Sequence, residues 1–451
     1  MSIAKLRIAF VKPSLGEQRG RPYRTPAVLE PVVAALVAGQ TPEDIELHFH
    51  DERLAEIDFH QKYDLVAISV ETFTALRSYQ IAGQFRRAGN RVLLGGFHPS
   101  LVPEEAADYA DSVAIGTVEG IWPKVIEDLR QGNLAKVYSG SELGFGSLKL
   151  DRSIFAGKKY LPVSLIESSR GCRFNCNFCS VHSFYGNSLC FRPVNEVAEE
   201  IAAIRSKFVF FTDDNIVSAP DQSRRLFSAI KPLKIKWASQ ASITSAADPE
   251  FLDAMADSGC FAVIIGLESI RHANLEKMGK KWAPGPDKLK KMLNEFRQRG
   301  IMVYGTFVFG YPGDTPQLVD ETVEFALDQK LFMANFNMLY PFPGTEIYRQ
   351  LDASNRLIDR RWWLSRSTCW DFPVFIPDSM TPEQLSYSIK AARRKFSRIS
   401  ALFKRGLDFD ANCRNPFNSM IFLATNIVSR LDISRKSGLV PGFGQNLENV
   451  K

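Results

Sequence analysis

The chain has 451 residues, of which 45% are hydrophobic and 24% are charged. These values are typical of a folded globular protein and exclude a wholly disordered or fibrous chain. The length predicts about three domains, and 56 Lys and Arg against 50 Asp and Glu give a net charge of only +6. This weakly basic balance argues neither for nor against nucleic acid, and we expect no nucleic-acid partner.

The chain shows neither a membrane span nor a signal peptide. A span would need a run of about 18 apolar residues, and the first residues predict a strand rather than an apolar signal core with a cleavage site. We therefore expect a cytoplasmic protein. The seven cysteines are then free core thiols, metal ligands or nucleophiles rather than a disulfide framework.

Residues 1–135 alternate short apolar strands with helices. The predicted strands cover residues 6–11, 45–50, 64–70, 91–95 and 112–116. The predicted helices cover 25–38, 103–109, 123–131 and a segment of about 15 residues that ends at Ala88. This repeated pattern predicts a doubly wound, Rossmann-like parallel sheet. Such sheets bind ligands at the carboxyl ends of their strands.

Residues 136–160 break the pattern and are predicted to be a linker. A second series over 161–350 has strands at 162–168, 208–212, 235–239, 261–267, 302–309 and 334–340, and helices at 194–205, 249–258, 287–299 and 315–329. Six strands with crossover helices predict a partial barrel. Residues 351–451 predict helices near 382–404 and 414–430 that cover the barrel mouth near the substrate site. We expect the second of these helices to pack in the core rather than touch a membrane.

Three cysteines, Cys172, Cys176 and Cys179, follow the first barrel strand at spacings of four and three. Such a loop allows three thiolates to converge on one cluster. Four-iron clusters normally take four thiolates, but the next cysteine, Cys190, is eleven residues further on. One iron would therefore be open to an exogenous ligand. The alternatives are packing thiols, or a zinc site with His182 as fourth ligand.

This C-x-x-x-C-x-x-C motif, with Phe178 before its last cysteine, resembles the signature of radical S-adenosylmethionine (SAM) enzymes. The resemblance implies that Cys172, Cys176 and Cys179 bind a 4Fe–4S cluster whose open iron is chelated by the amino and carboxylate groups of SAM. An electron from the cluster then cleaves the sulfonium to a deoxyadenosyl radical. It also implies an electron donor such as flavodoxin or ferredoxin.

Stretches at later strand ends also resemble parts of this family, in the same order. They are Phe211-Thr-Asp-Asp-Asn215, Gly266-Leu-Glu-Ser269, Gly305 to Asp314, and Pro341-Phe-Pro-Gly-Thr345. The resemblance covers roughly residues 160–350. It assigns these residues to the SAM site: Phe178, Asp213, Asn215, Glu268, Ser269 and Gly310.

A doubly wound domain before such a barrel resembles the cobalamin-binding domain of one branch of the family, the class B radical methylases. The resemblance assigns these residues to cobalamin: Ser69, Thr72, Gly95, Gly96, His98 and Glu119. The D-x-H-x-x-G motif of histidine-ligated cobalamin is missing. Asp58 and His60 have its spacing, but Tyr63 replaces its glycine. We interpret His60 as a surface residue.

These features support three interpretations. The first is a cobalamin-dependent radical SAM methyltransferase that acts on an unactivated centre of a small molecule. The second is a cobalamin-independent radical SAM enzyme for cyclisation, rearrangement, oxidation or transfer of another SAM-derived group, with a structural cobalamin-like domain. The third is a zinc-stapled binding protein that catalyses no reaction.

Overall fold

The computed structural model describes residues 5–140, 144–145, 148–204 and 206–444. The amino-terminal region contains β1 (Arg7–Lys12), β2 (Gly16–Gln18), β3 (Arg21–Pro22), α1 (Val32–Gln40), β4 (Glu46–Asp51), β5 (Leu65–Ser69), α2 (Ala75–Arg87), β6 (Val92–Gly95), α3 (Phe97–Leu101), α4 (Pro103–Ala107), β7 (Ser112–Ile115), α5 (Trp122–Arg130) and β8 (Val137–Ser139).

Six of these strands form a parallel sheet in the order β4-β1-β5-β6-β7-β8. The strand cores are buried on both faces, as at Ile8–Val11 and Leu65–Ile68, because helices cover each side. The order is of the flavodoxin type, in which the ligand crevice lies outside the carboxyl ends of the strands where the connections change direction. The predicted doubly wound sheet is confirmed.

Two segments differ from the prediction. The first helix begins at Val32 rather than near Thr25, with Pro31 at its N-cap. A proline inside the predicted helix would remove a hydrogen bond and clash with the preceding turn, so helix forms only after Pro31. The segment predicted as a linker contains β8, which pairs with β7 as the sixth strand of the sheet. That strand has only three residues, too few for a periodic signal.

The middle region contains β9 (Ser164–Ile166), β10 (Ser169–Arg170), α6 (Ser180–Tyr185), β11 (Cys190–Phe191), α7 (Val194–Ala203), β12 (Phe208–Phe211), α8 (Pro220–Ile230), β13 (Lys236–Ala241), α9 (Pro249–Asp257), β14 (Cys260–Glu268), α10 (His272–Lys277), α11 (Pro286–Gln298), β15 (Met302–Phe309), α12 (Pro316–Asp328), β16 (Met333–Met338) and α13 (Glu346–Ala353). The predicted end of the helix at Arg205 lies outside the described residues.

Six strands of this region form a parallel sheet in the order β9-β12-β13-β14-β15-β16. Their order in the sheet follows their order in the chain, with helices in the connections. This is the predicted partial barrel. All six strands therefore direct their carboxyl ends to one edge, where the following loops meet.

The carboxyl-terminal region contains α14 (Pro382–Phe396), α15 (Ile399–Gly406), α16 (Pro416–Lys436) and β17 (Val440–Pro441). It returns to the first domain, because β17 pairs with β2 in a small antiparallel sheet. Trp362 and Trp363, which precede α14, are buried. No helix in the described part of the chain is long and apolar enough to cross a membrane.

Candidate functional site

The three cysteines lie in one loop at the carboxyl end of β9. The loop follows β10, which pairs with β11, and Cys179 occupies the N-cap position of α6. Cys176 is buried, while Cys172 and Cys179 are partly exposed. The three thiols interact electrostatically with one another. The structure therefore brings together the cysteines that the motif predicts.

Burial raises the pKa of the Cys176 thiol to about 12, against the opposing charge of Lys280. Burial also raises the pKa of Cys179, although backbone N–H groups at the start of α6 lower it. Such thiols become ligands when a metal displaces their protons. In the described ranges, no three His, Cys, Asp or Glu side chains are arranged to hold one metal ion. Because a four-iron cluster binds each thiolate to a different iron, its three cysteines do not have to converge on one metal ion.

Neighbouring elements hold the cysteine loop in place. The Asn177 N–H donates to the Met278 carbonyl at 3.2 Å, and the Asn177 side-chain amide donates to the Lys277 carbonyl at 2.9 Å. The Tyr311 hydroxyl donates to the Asn177 side-chain oxygen at 2.8 Å. Phe178 packs edge-on against Tyr311, with ring centroids 6.3 Å apart. Phe178 thus braces the loop on the barrel.

A buried ion pair lies beside this loop. Glu268, the last residue of β14, has a left-handed φ of +58°, and its Oε1 accepts a hydrogen bond of 2.8 Å from Lys280 Nζ. Burial opposes the charge of Lys280, but Glu268 and Cys176 hold the pKa of Lys280 above its usual value. The left-handed φ of Glu268 is strained for a residue with a side chain, and such backbone strain concentrates at functional sites.

Asp213 and Asn215, which follow β12, have different environments. Asp213 is fully buried and accepts hydrogen bonds from the Ser168 N–H at 3.1 Å, from the Ser168 hydroxyl at 2.6 Å and from the Ser169 hydroxyl. Burial raises its pKa to about 6. The Asn215 amide nitrogen lies 3.8 Å from Cys172 Sγ. Asn215 therefore lies at the cysteines, while Asp213 fixes the ends of two strands.

Ser269 and Gly310 shape the loops that follow β14 and β15. The Ser269 hydroxyl oxygen accepts the Arg271 N–H at 3.1 Å. Gly310 has a φ of +116°, and a Cβ there would lie 2.5 Å from the Phe375 ring. Its N–H donates to Asp314 Oδ2 at 2.8 Å. Both residues therefore set loop conformation at the barrel edge.

A cavity of about 710 Å³ opens at the carboxyl ends of the first sheet. This volume is in the upper part of the usual range of ligand pockets, about 300–1,000 Å³. Four of the six residues predicted to contact cobalamin line it: Ser69, Gly95, Gly96 and Glu119. Its other side is formed by Glu167, Arg170 and Thr212 of the barrel. The cavity therefore lies between the first domain and the start of the cysteine loop.

The cavity continues as an apolar slot between the first sheet and α1. Its walls are Phe10, Ala67, Leu93 and Ala114 on the strands and Leu36 and Val37 on α1. At its rim, Gly96 has a φ of +111°, and a Cβ there would lie 2.8 Å from the Val70 carbonyl oxygen. Only glycine fits this turn without strain.

Arg170 joins the two sides of the cavity. Its Nη2 donates to Glu119 of the first domain at 2.6 Å and to Glu167 of the barrel at 2.7 Å. Its Nη1 is buried and has no hydrogen-bond partner among the described residues. An unsatisfied buried donor is costly. An amide or phosphate oxygen of a bound ligand would satisfy it.

His98 and Thr72, also predicted to contact cobalamin, do not line this cavity. His98 is fully buried, with Nδ1 3.3 Å from the Thr72 hydroxyl and Nε2 3.2 Å from the Glu105 carboxylate. Glu105 also accepts hydrogen bonds from the Tyr79 hydroxyl at 3.1 Å and from Trp363 Nε1 at 3.0 Å. The turn at Gly96 directs His98 inward, where it joins the first domain to the carboxyl-terminal region.

The sequence did not predict a role in the site for two residues, Arg170 and Lys280. Arg170 stands directly before the Gly-Cys of the motif, and this adjacency is the signal that could have marked it. Lys280 follows a short helix in a Gly-Lys-Lys run, which is typical of a solvated turn. Its burial depends on the distant Glu268, so the local sequence carries no signal for it.

Residues 166–326 match the model of the Radical SAM superfamily. The match begins at the end of β9 and includes the cysteine loop, Asn215, Glu268 and Gly310. The chain therefore carries a radical SAM domain, which implies a 4Fe–4S cluster and SAM as cofactors. The cysteine loop fits this cofactor set, because it offers three thiols and leaves one iron for SAM.

Two proteins of Chlorobaculum tepidum are similar to most of this chain. Bacteriochlorophyllide d C-8(2)-methyltransferase is 29% identical over 344 residues, which cover 71% of this chain and 74% of the relative. Bacteriochlorophyllide d C-12(1)-methyltransferase is 28% identical over 397 residues, which cover 84% of this chain and 85% of the relative.

The fold resembles the solved structure of the cobalamin-dependent S-adenosylmethionine radical enzyme OxsB with aqua-cobalamin and S-adenosylmethionine bound. The TM-score is 0.65 at 12% identity, and the match covers 96% of this chain and 72% of that chain. At this identity the likeness concerns the fold. The predicted class, a radical SAM enzyme with an amino-terminal domain of the cobalamin-binding type, is confirmed.

Proposed function

We propose that this protein is a cobalamin-dependent radical SAM methyltransferase that methylates an unactivated carbon of a small molecule. The observation that carries the proposal is the position of the cavity. Strand ends of the first domain form one side, and Glu167 and Arg170, just before Cys172, form the other. A ligand there lies next to the cysteine loop, as methyl transfer between two cofactors requires. The similarity to two methyltransferases supports the same reaction type.

The residues present fit cobalamin. The strand-end rim at Ser69, Gly95 and Gly96 allows a wide ring system to approach the backbone, and the apolar slot beside α1 would take its nucleotide tail. Arg170 Nη1 would donate a hydrogen bond to an oxygen of the ligand. In the described part of the chain, no histidine lines the cavity, which favours binding without a histidine ligand.

When bound, cobalamin supplies a transferable methyl group, and SAM at the cluster supplies the radical that removes hydrogen from the substrate. The role of the chain is to hold and separate these groups. Cys172, Cys176 and Cys179 would bind three irons of the cluster. Glu268, with Lys280 as its counter-ion, provides a buried carboxylate that would accept hydrogen bonds from the SAM amino group. An external one-electron donor such as flavodoxin or ferredoxin would reduce the cluster.

The first test is cobalamin content after anaerobic purification from cobalamin-fed cells. We expect about one cobalamin per chain together with an intact cluster. In the presence of a strong reductant, which converts the bound cobalamin to its cob(I) state, added SAM with a deuterated methyl group should transfer its label to the cobalamin without any substrate. An intact cluster without cobalamin would overturn the proposal in favour of cobalamin-independent radical chemistry. Zinc without iron would instead support a zinc-stapled protein.

A further inference from the structure

Helix α16 buries two asparagines on the side that faces the protein. Its buried residues are Asn418, Phe422 and Asn426. Asn418 donates to the carbonyls of Gly300 at 3.3 Å and Ala411 at 2.8 Å. Asn426 accepts a hydrogen bond of 3.0 Å from the buried Arg405. Phe422 is buried as well, in a cluster with Met302 and Phe332, and Phe417 stacks on Phe208. One side of the helix is thus packed on the core, as predicted, through polar and apolar groups together.

The opposite side of α16 carries an exposed apolar stripe. Met420, Leu423, Ile427 and Leu431 follow helical spacing, and each is at least half exposed. An ordinary surface helix turns such a stripe to the core. The side chains that the sequence provides for burial therefore face outward, and they lose contact with water only if something covers them.

The neighbouring helix extends this surface. Ile399, Phe403 and Leu407 form a second stripe on and just after α15, and Phe409 follows in the loop. Among the described residues, fifteen large hydrophobic side chains are exposed, and eight of them lie within residues 399–431. Scattered exposed hydrophobics need no explanation, but a cluster of this size marks an interaction surface.

The charge around these stripes indicates what covers them. Residues 391–436 contain ten Lys and Arg and three Asp, a net charge of +7, while the whole chain carries only +6. Among these basic residues, Arg405 is buried, and Lys395 and Lys404 pair with acidic side chains of α12. The positive charge that remains at this surface therefore comes mainly from arginines. Arg394, Arg398 and Arg430 are exposed, and in the described ranges they form no salt bridge. Asp408, by contrast, is buried against Arg297.

We propose that the apolar stripes of α15 and α16, with their basic surroundings, dock this protein on the surface of an anionic phospholipid bilayer. Exposed Phe, Leu, Ile and Met would enter the boundary between head groups and acyl chains, and the arginines would contact lipid phosphates. No described helix is suited to cross a membrane, so the attachment is to one surface.

The test is flotation of the anaerobically purified full chain with vesicles. The two vesicle types are phosphatidylcholine alone and phosphatidylcholine mixed with phosphatidylglycerol. We expect binding to the mixed vesicles, weak binding to the neutral ones and a loss of binding at high salt. Replacing Arg394, Arg398 and Arg430 together by glutamine should weaken binding roughly fivefold for each arginine removed.

A matched pair of double variants tests the apolar contribution. Phe403→Gln with Ile427→Gln should weaken binding about tenfold or more. Tyr387→Gln with Ile358→Gln, which changes side chains of similar exposure outside the surface, should leave binding unchanged. Absence of binding to anionic vesicles, or equal losses in both pairs, would overturn the proposal. So would a dimer in solution that the first pair dissociates, because a second copy would then cover the stripes.

Discussion

Lys280 Nζ donates a hydrogen bond of 2.8 Å to Glu268 Oε1, and both groups are buried where β14 meets the cysteine loop. Lys280 also donates to the Gly266 carbonyl at 3.1 Å, so the ammonium is held between a strand end and the thiols. Breaking a buried ion pair from one side leaves the other charge unpaired, which costs about 3–5 kcal/mol.

Lys280→Met should therefore lower the free energy of unfolding by about 3–5 kcal/mol and weaken SAM binding, because Lys280 no longer holds the Glu268 carboxylate in position. Chemical denaturation and equilibrium binding of SAM measure the two effects. The adjacent Lys281 is exposed, so Lys281→Met is a matched control that should change neither. Equal behaviour of the two variants would show that the ion pair has no special role.

Cys176→Ala should abolish the cluster and all cleavage of SAM, because a cluster held by two thiolates lacks the ligands it needs. The measurements are iron content per chain and deoxyadenosine formation with a strong reductant. Cys190→Ala is the control, because Cys190 lies outside the motif on β11, and it should retain both iron and cleavage. Cleavage of SAM by the Cys176 variant would contradict the assigned ligands.

The sequence predicted the parts of this molecule that depend on local pattern. Apolar strands with intervening helices gave both parallel sheets, and close spacing marked Cys172, Cys176 and Cys179. It did not predict features that depend on distant partners. Lys280 is buried only because Glu268 lies next to it in space, and β8 is a strand only because β7 offers it an edge.

The errors have the same physical cause. His98 follows a Gly-Gly turn that does form the cavity rim, but its own side chain points to Glu105, a residue of the next helix. The apolar residues of α16 predicted burial, and Phe422 is buried, yet two asparagines share its side of the helix and the apolar stripe faces out. Which face of an element is buried depends on tertiary partners that local periodicity does not specify.

Gly96→Ala should reduce cobalamin content severalfold. The left-handed φ and the approach to the Val70 carbonyl require the rim loop to move when a Cβ is added, at a cost on the order of 1–3 kcal/mol. Cobalamin extracted per cluster-loaded chain is the measurement. Gly120→Ala, whose Cβ would meet nothing nearer than 3.7 Å, should retain full content. A normal cofactor load in the Gly96 variant would argue against the assigned rim.

Stability should fall as the pH rises from about 5 to 7, because burial raises the pKa of Asp213 and of Asp314 to about 6. An unfolded aspartate has a pKa of about 3.9, so between these values the native state binds more protons than the unfolded state. The stabilising effect of protonation is fully present below the unfolded pKa of about 3.9, and it is lost as the pH rises through the native pKa of about 6. Each group should contribute about 1 kcal/mol over this range.

Chemical denaturation at the two pH values measures this effect. Asp314→Asn, which cannot ionise, should show a shallower dependence than the wild-type protein, and the difference isolates the contribution of Asp314. An unchanged slope in this variant would mean that Asp314 does not titrate in this range in the native state.

His98→Gln should lower stability without changing cobalamin content. The imidazole is enclosed between Thr72 and Glu105, and its loss leaves a buried carboxylate with fewer donors, at a cost of about 1–3 kcal/mol. The cavity wall does not include His98, so the cofactor should bind as before. His60→Gln removes the exposed histidine that follows Asp58 and should change neither property. Loss of cobalamin from the His98 variant at unchanged stability would return His98 to the cofactor site.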